Sequence, residues 1–208
     1  MSILKIESAR RQLGTALALY LQDKDPVSVH CLAGGGCELI EYFAKKAGGQ
    51  PFTSHILKTW PDLEIKKVRS LQRQFWTAFK HATHRYGGEE RDDDALLARF
   101  NDEQNDHALL IGWYDYALAT RTMPIEAQVH QAWYFALHPT KLNQQLSAEP
   151  YEELFPDLRY KSRAEQKRML NCVIEKKRTD NIVMGDPRTD TRPLMLGWDM
   201  ATTAGSRR

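Results

Sequence analysis

Apolar residues recur at three- and four-residue intervals along most of this chain, and no stretch alternates apolar and polar positions for long enough to make a convincing strand. That period selects helices, and Pro and Gly cut the pattern into segments. Ile6, Ala9, Leu13, Leu17 and Tyr20 form a first apolar stripe. Asp25-Pro26 ends that segment and starts the next, with Asp as N-cap and Pro at the first helical position. The second helix runs to about Ala47, closes at Gly48-Gly49, and buries Val29, Leu32, Ala33, Gly36, Ile40 and Phe43.

Gln50 to Thr53 reads as a loop and Ser54 to Trp60 as one short helical turn, before a third long helix from Pro61-Asp62 to about Arg85. Gly87-Gly88 and the acidic run to Asp94 form an exposed loop. Asn101, with Gln104 three residues on and Asp102, Glu103 and Asp106 nearby, starts a helix carrying Leu110, Ile111, Tyr114 and Leu118 that stops near Arg121. Pro124 opens another, ending at His138-Pro139. After a loop-rich stretch, Ser162-Arg163-Ala164-Glu165 is a capping box for a last helix with Met169, Leu170, Val173 and Ile174. Short links between long helices favour antiparallel neighbours. The expected fold is therefore all-α: an up-and-down bundle of about five to six main helices. Residues 1–140 form the bundle, 141–178 a loop-rich segment plus the last helix, and 179–208 an irregular tail. Leu194, Met195, Leu196 and Trp198 make that tail apolar enough to dock on the body.

A hydrophobic content of 42% supports a sizeable core, while a formal charge of only +2 gives no global attraction to polyanions. Any anion binding must come from a local patch. The three cysteines, Cys31, Cys37 and Cys172, show no CxxC spacing, and the opening residues run into an amphipathic pattern rather than a secretory leader. No apolar run approaches the roughly 20 residues needed to span a bilayer. The expectation is a reduced, cytoplasmic protein with no membrane association and no cofactor.

The third helix concentrates the candidate chemistry. On a helical wheel Ile65, Val68, Leu71, Phe75, Phe79 and Ala82 share one face, and Lys66, Arg69, Arg73, Thr77, Lys80 and His84 lie opposite, with His81 and Arg85 at the edge. Glu64 is the one acid within this segment beyond Asp62, so the basic line has no partner on its own helix. Clustered guanidinium and ammonium donors beside histidine suit a phosphate-bearing ligand. Arg69, Lys80 and His84 are the anion-binding candidates. The same pattern also describes the solvated side of an ordinary helix, or one facing another helix or the acidic loop.

Histidine and carboxylate placement offers a second chemistry. His30, Cys37 and Glu41 recur on the border of the second helix, and Glu103/His107 and Glu126/His130 are i, i+4 pairs. Bundles build metal sites from inward His and Glu, which makes His30, Glu41 and His81 weak metal candidates. The Glu-x-x-His spacing of di-iron bundles is absent. Gly34-Gly35-Gly36 costs about 1 kcal/mol per glycine inside a helix, so close helix packing or a close ligand should compensate, packing being the simpler account. Cys31 and Cys37 read as packing thiols, and Trp113-Tyr114 and Trp133-Tyr134-Phe135 as core aromatics.

Three segments, Asp25-Pro-Val-Ser-Val-His-Cys-Leu-Ala33, Phe79-Lys-His-Ala82 and Ala132-Trp-Tyr-Phe-Ala-Leu-His-Pro139, resemble in order a family of uncharacterised bacterial proteins, over roughly residues 4–140. That resemblance implies no activity. A more distant one is to HEPN domains, helical bundles that include dimeric, metal-independent RNases marked by an Arg followed, after a short spacer, by His. It implies Arg73 as the phosphate-binding group and His81 as general acid/base, the catalytic pair, although the spacer here, residues 74–80, is longer than the family's. Three functions follow as expectations: an interaction or accessory module meeting a protein partner or forming a homodimer through helical faces; an RNA-binding or RNA-cleaving protein; and a metal-binding bundle enzyme.

Overall fold

The computed structural model describes residues 3–59, 62–84, 87–142 and 147–197, and the chain is all-α. The helices are α1 (Ile3–Leu21), α2 (Pro26–Lys46), α3 (Phe52–Thr59), α4 (Ile65–Lys80), α5 (Asp94–Leu97), α6 (Glu103–Thr120), α7 (Ile125–Leu137), α8 (Glu149–Leu154), α9 (Arg163–Arg178) and α10 (Asn181–Met184). Single 3-10 turns lie at Pro139–Lys141 and Leu158–Tyr160. Two-residue strands β1 (Met123–Pro124) and β2 (Thr189–Asp190) pair in parallel, Met123 opposite Thr189.

The helix boundaries follow local chemistry. The Asp25 carboxylate accepts from the backbone N–H groups of Val27 and Ser28, with Pro26 at the first position of α2. Ala47 caps the other end and Gly48 turns away with φ +80°. Asn101 Oδ1 accepts from Glu103 N–H at the start of α6, and Ser162 Oγ accepts from Glu165 N–H at the start of α9. The Ser54 turn expected from sequence lies within a two-turn helix, α3. Pro61 and Arg85, the expected limits of the third long helix, lie outside the described residues.

The core is α1, α2 and α6, with α7 and α9 closing one side. Glycine sets the interhelical distances. Leu13 of α1 fills the space left by Gly36 of α2 and Gly112 of α6, where any Cβ would overlap it. A Cβ on Gly34 would sit 2.5 Å from Trp76 Cδ1 of α4, and one on Gly35 would overlap the Gln12 side chain. Each glycine of the triplet thus admits a different neighbour, which is the compensation its helix cost demands.

α4 departs from the wheel in two ways. It stops at Lys80, because His81 turns to extended backbone and the following residues fold back on themselves. Thr83 bridges Glu90, His84 N–H donates to Glu89 C=O, and Gly87 and Gly88 turn at positive φ. Ala82 and His84 are therefore not helical. The buried stripe is also rotated: Val68, Phe75 and Trp76 are buried, whereas Ile65 and Leu71 are 42% and 55% exposed. Trp76 seating over Gly34 draws that edge of the helix inward.

The tail docks on α1. Arg10, fully buried, bonds the Asp190 carboxylate at 3.0 Å and the carbonyls of Arg192, Pro193 and Leu194, with its guanidinium over the Trp113 ring. Arg192 clamps Asp190 from the other side and reaches Glu7 and Tyr116 Oη. The Leu194 carbonyl lies where a Cβ on Gly14 would stand, so Gly14 is what lets the tail cross. Leu194 is buried and Met195 exposed; Trp198 falls outside the described residues. No helix among the described residues is long and apolar enough to cross a membrane.

Candidate functional site

Two polar neighbourhoods stand out. The first joins α2, α4 and α6. Arg69 bonds Glu41 Oε1 through Nε and Nη2 at 3.1 and 2.8 Å, while Arg73 bonds Glu41 Oε2 at 3.0 Å and Glu38 at 3.4 Å. Arg69 and Arg73 of the basic line thus find their acids on the adjacent helix. Lys80 lies over the Trp76 ring at 4.3 Å. His81 and His84 are both exposed beyond the helix. From Arg73 to His81 the rise along the helix is about 12 Å at ~1.5 Å per residue, and Arg73 faces α2.

His30 is buried edge-on against Phe75, Phe79 and Phe100. Its Nδ1 lies 2.9 Å from Asn105 Oδ1, and because Asn105 Nδ2 donates to Pro26 C=O, the imidazole is the donor. Burial lowers its pKa. His30, Glu41 and Arg73 do meet around one small cavity of about 40 Å³, shared with Cys37, Gln72 and Asp115. Such a space holds about one water. Thr53 Oγ1 donates to Gln72 Oε1, Gln72 Nε2 has no partner among the described residues, and Asp115 accepts from Phe52 N–H at 2.8 Å. Burial pushes the Asp115 carboxyl up to about 7. Burial also pushes the Cys37 thiol up, away from thiolate chemistry. His81 is not part of this set, and no group of three His, Cys, Asp or Glu among the described residues could hold a metal ion.

The second neighbourhood lies where the C-terminal end of α1 meets α6, α7 and α9. Tyr20 Oη donates to Asp106 Oδ1 at 2.6 Å. Arg163 spans Asp102 and Asp106 at 2.6–2.9 Å and also donates to Tyr20 Oη. Lys167 joins Asp102 and Asp23. Inside this frame His130 stacks on Trp133 with ring centroids 5.6 Å apart; its Nε2 is buried without a partner among the described residues. Burial holds the imidazole neutral, lowering its pKa to about 3. Further out, Lys141 Nζ donates to Tyr134 Oη at 3.0 Å, and Tyr134 Oη lies 2.7 Å from His107 Nδ1. The His138 ring packs 4.7 Å from Tyr134 and 5.6 Å from His107.

Sequence spacing marks His107 and His130 only as halves of i, i+4 pairs with Glu103 and Glu126. In the fold Glu126 turns to Arg178 instead. By sequence Arg163 is an ordinary capping-box residue, and Tyr20 and Tyr134 are core aromatics. No local signal reveals that four helices bring these residues together. No protein-family model, curated protein or solved structure matches the chain.

Proposed function

We propose that the protein is an interaction or accessory module that works through its helical surfaces rather than through chemistry on α4. The observation carrying this reading is the inward use of the α4 arginines. Arg69 and Arg73 are spent on Glu38 and Glu41, and the helix thereby turns the apolar residues Ile65 and Leu71 outward. One residue beyond the Glu41 grip, α2 exposes Tyr42 at 63%. Large apolar side chains left exposed beside polar residues are what a partner helix or a second copy uses for burial.

A photo-crosslinking amino acid placed at Leu71 tests this. The expected result is a discrete adduct, to a second copy in purified protein or to a partner in cells, that is absent when the probe replaces exposed Glu175 on α9. No adduct from position 71 in either setting, or identical adducts from both positions, would overturn the reading.

A further inference from the structure

The cluster at the junction of α6, α7 and the Pro139–Lys141 turn is left over once α4 is accounted for. Its hydrogen bonds have a direction. The Lys141 ammonium can only donate, so Tyr134 Oη accepts from it and gives its own proton to His107 Nδ1. His107 is then neutral with its remaining proton on Nε2. Burial, with the Lys141 charge adding to it, holds the imidazole near a pKa of about 4. His138, also lowered by burial first and by Lys141 second, completes the group.

The nearby carboxylate of Asp106 is taken by Tyr20 and Arg163, and Asp102 by Arg163 and Lys167. Glu103, one turn before His107 on α6, is exposed and forms no ion pair among the described residues. Lys141 likewise has no carboxylate within ion-pair distance there and contacts the Tyr134 hydroxyl and ring, although the Asp106 charge acts on it and the Glu103 charge acts on His138. A lysine so placed retains two N–H donors for a ligand. The C-terminal end of α7 disfavours an anion here, and the N-terminal end of antiparallel α6 beside it offsets that.

We infer that Lys141, His138 and His107, with Tyr134 fixing their geometry, form a binding site for a phosphate group, free or as a small monoester. The ammonium supplies the charge and two donors, the His107 Nε2–H supplies a neutral donor beside the His138 ring, and the buried Tyr134 phenol keeps the lysine in place. The site is separate from the α4 surface and stands or falls independently of the interaction reading.

Histidine imidazole NMR resonances, followed while inorganic phosphate and then phenyl phosphate are added at constant ionic strength, test it. The expected result is saturable shifts of His107 and His138, weakened at least tenfold in Lys141→Ala and retained in Lys161→Ala, an exposed lysine elsewhere. Saturation by both ligands assigns the monoester terminus, and saturation by inorganic phosphate alone assigns the free anion; either supports the site. Non-saturable shifts, or equal affinity in wild type and Lys141→Ala, would overturn it. Lys141 is exposed, so its variant should fold, and an unchanged backbone amide spectrum checks that.

Discussion

At the scale of single residues, buried titratable groups set how this fold responds to pH, and they act in opposite directions. An unfolded histidine takes up a proton near pH 6.5. In the fold, His107 does so only near 4 and His130 near 3. Between those values the unfolded chain binds more protons, so the stability these residues contribute is complete above about pH 6.5 and is lost as pH falls. His130→Phe keeps the aromatic stack on Trp133 and removes the partnerless Nε2. It should leave stability at pH 7.5 within about 1 kcal/mol and make urea-unfolding free energy fall less steeply from pH 6.5 to 4; an unchanged slope would argue against a neutral buried imidazole. Asp115 works the other way. Its folded pKa of about 7 lies above the unfolded value, so its burden on the fold grows as pH rises from about 4 to 7 and is full above that. Asp115→Asn, which can still accept from Phe52 N–H, should stabilise by about 2 kcal/mol at pH 8, fading to nothing near pH 4. Equal unfolding midpoints for the two proteins at pH 8 would contradict this.

At the scale of helices, the triplet Gly34–Gly36 governs how closely α1 and α4 approach α2. Alanine in place of Gly34 would gain about 1 kcal/mol in helix propensity. The overlap with Trp76 should outweigh it, giving a net loss of about 1–3 kcal/mol. The loss should shrink when Trp76 is also changed to Leu, a non-additivity readable in urea midpoints; additive effects would place Trp76 elsewhere. The sequence made much of this level legible. The Asp25 and Ser162 caps, the Gly48 stop and the apolar stripe of α1 lie where local chemistry puts them, because each depends on residues a few positions apart. The face and end of α4 were not legible. Which edge turns inward depends on a glycine in another helix, and the end at Lys80 depends on a bridge from Thr83 to Glu90. The Tyr20–Asp106–Arg163 network and the Lys141–Tyr134–His107 chain were hidden for the same reason. Spacing reports neighbours along one helix, whereas these partners come from different ones.

At the scale of the molecule, the tail closes the fold. Hydrogen bonds from Arg192 and Arg10 overcome the burial that would raise the Asp190 carboxyl, and hold it down at about 2. Arg10→Met leaves Asp190 with Arg192 alone beside apolar surface, and breaking such a buried pair costs about 3–5 kcal/mol. Undocking the tail limits that loss, so about 2–4 kcal/mol is expected, together with new proteolytic cleavage between Gly185 and Gly197 detected by mass spectrometry. Wild-type protease resistance in the variant would contradict the latch. The same logic of internal pairing underlies the functional account: α4 is a strut gripped by Glu38 and Glu41, with Arg73 facing α2 and His81 beyond the helix end. The most direct test is an RNA-cleavage assay without added metal, comparing wild type with His81→Ala. Both proteins should show the same background. Cleavage by the wild type that disappears with His81 would contradict it.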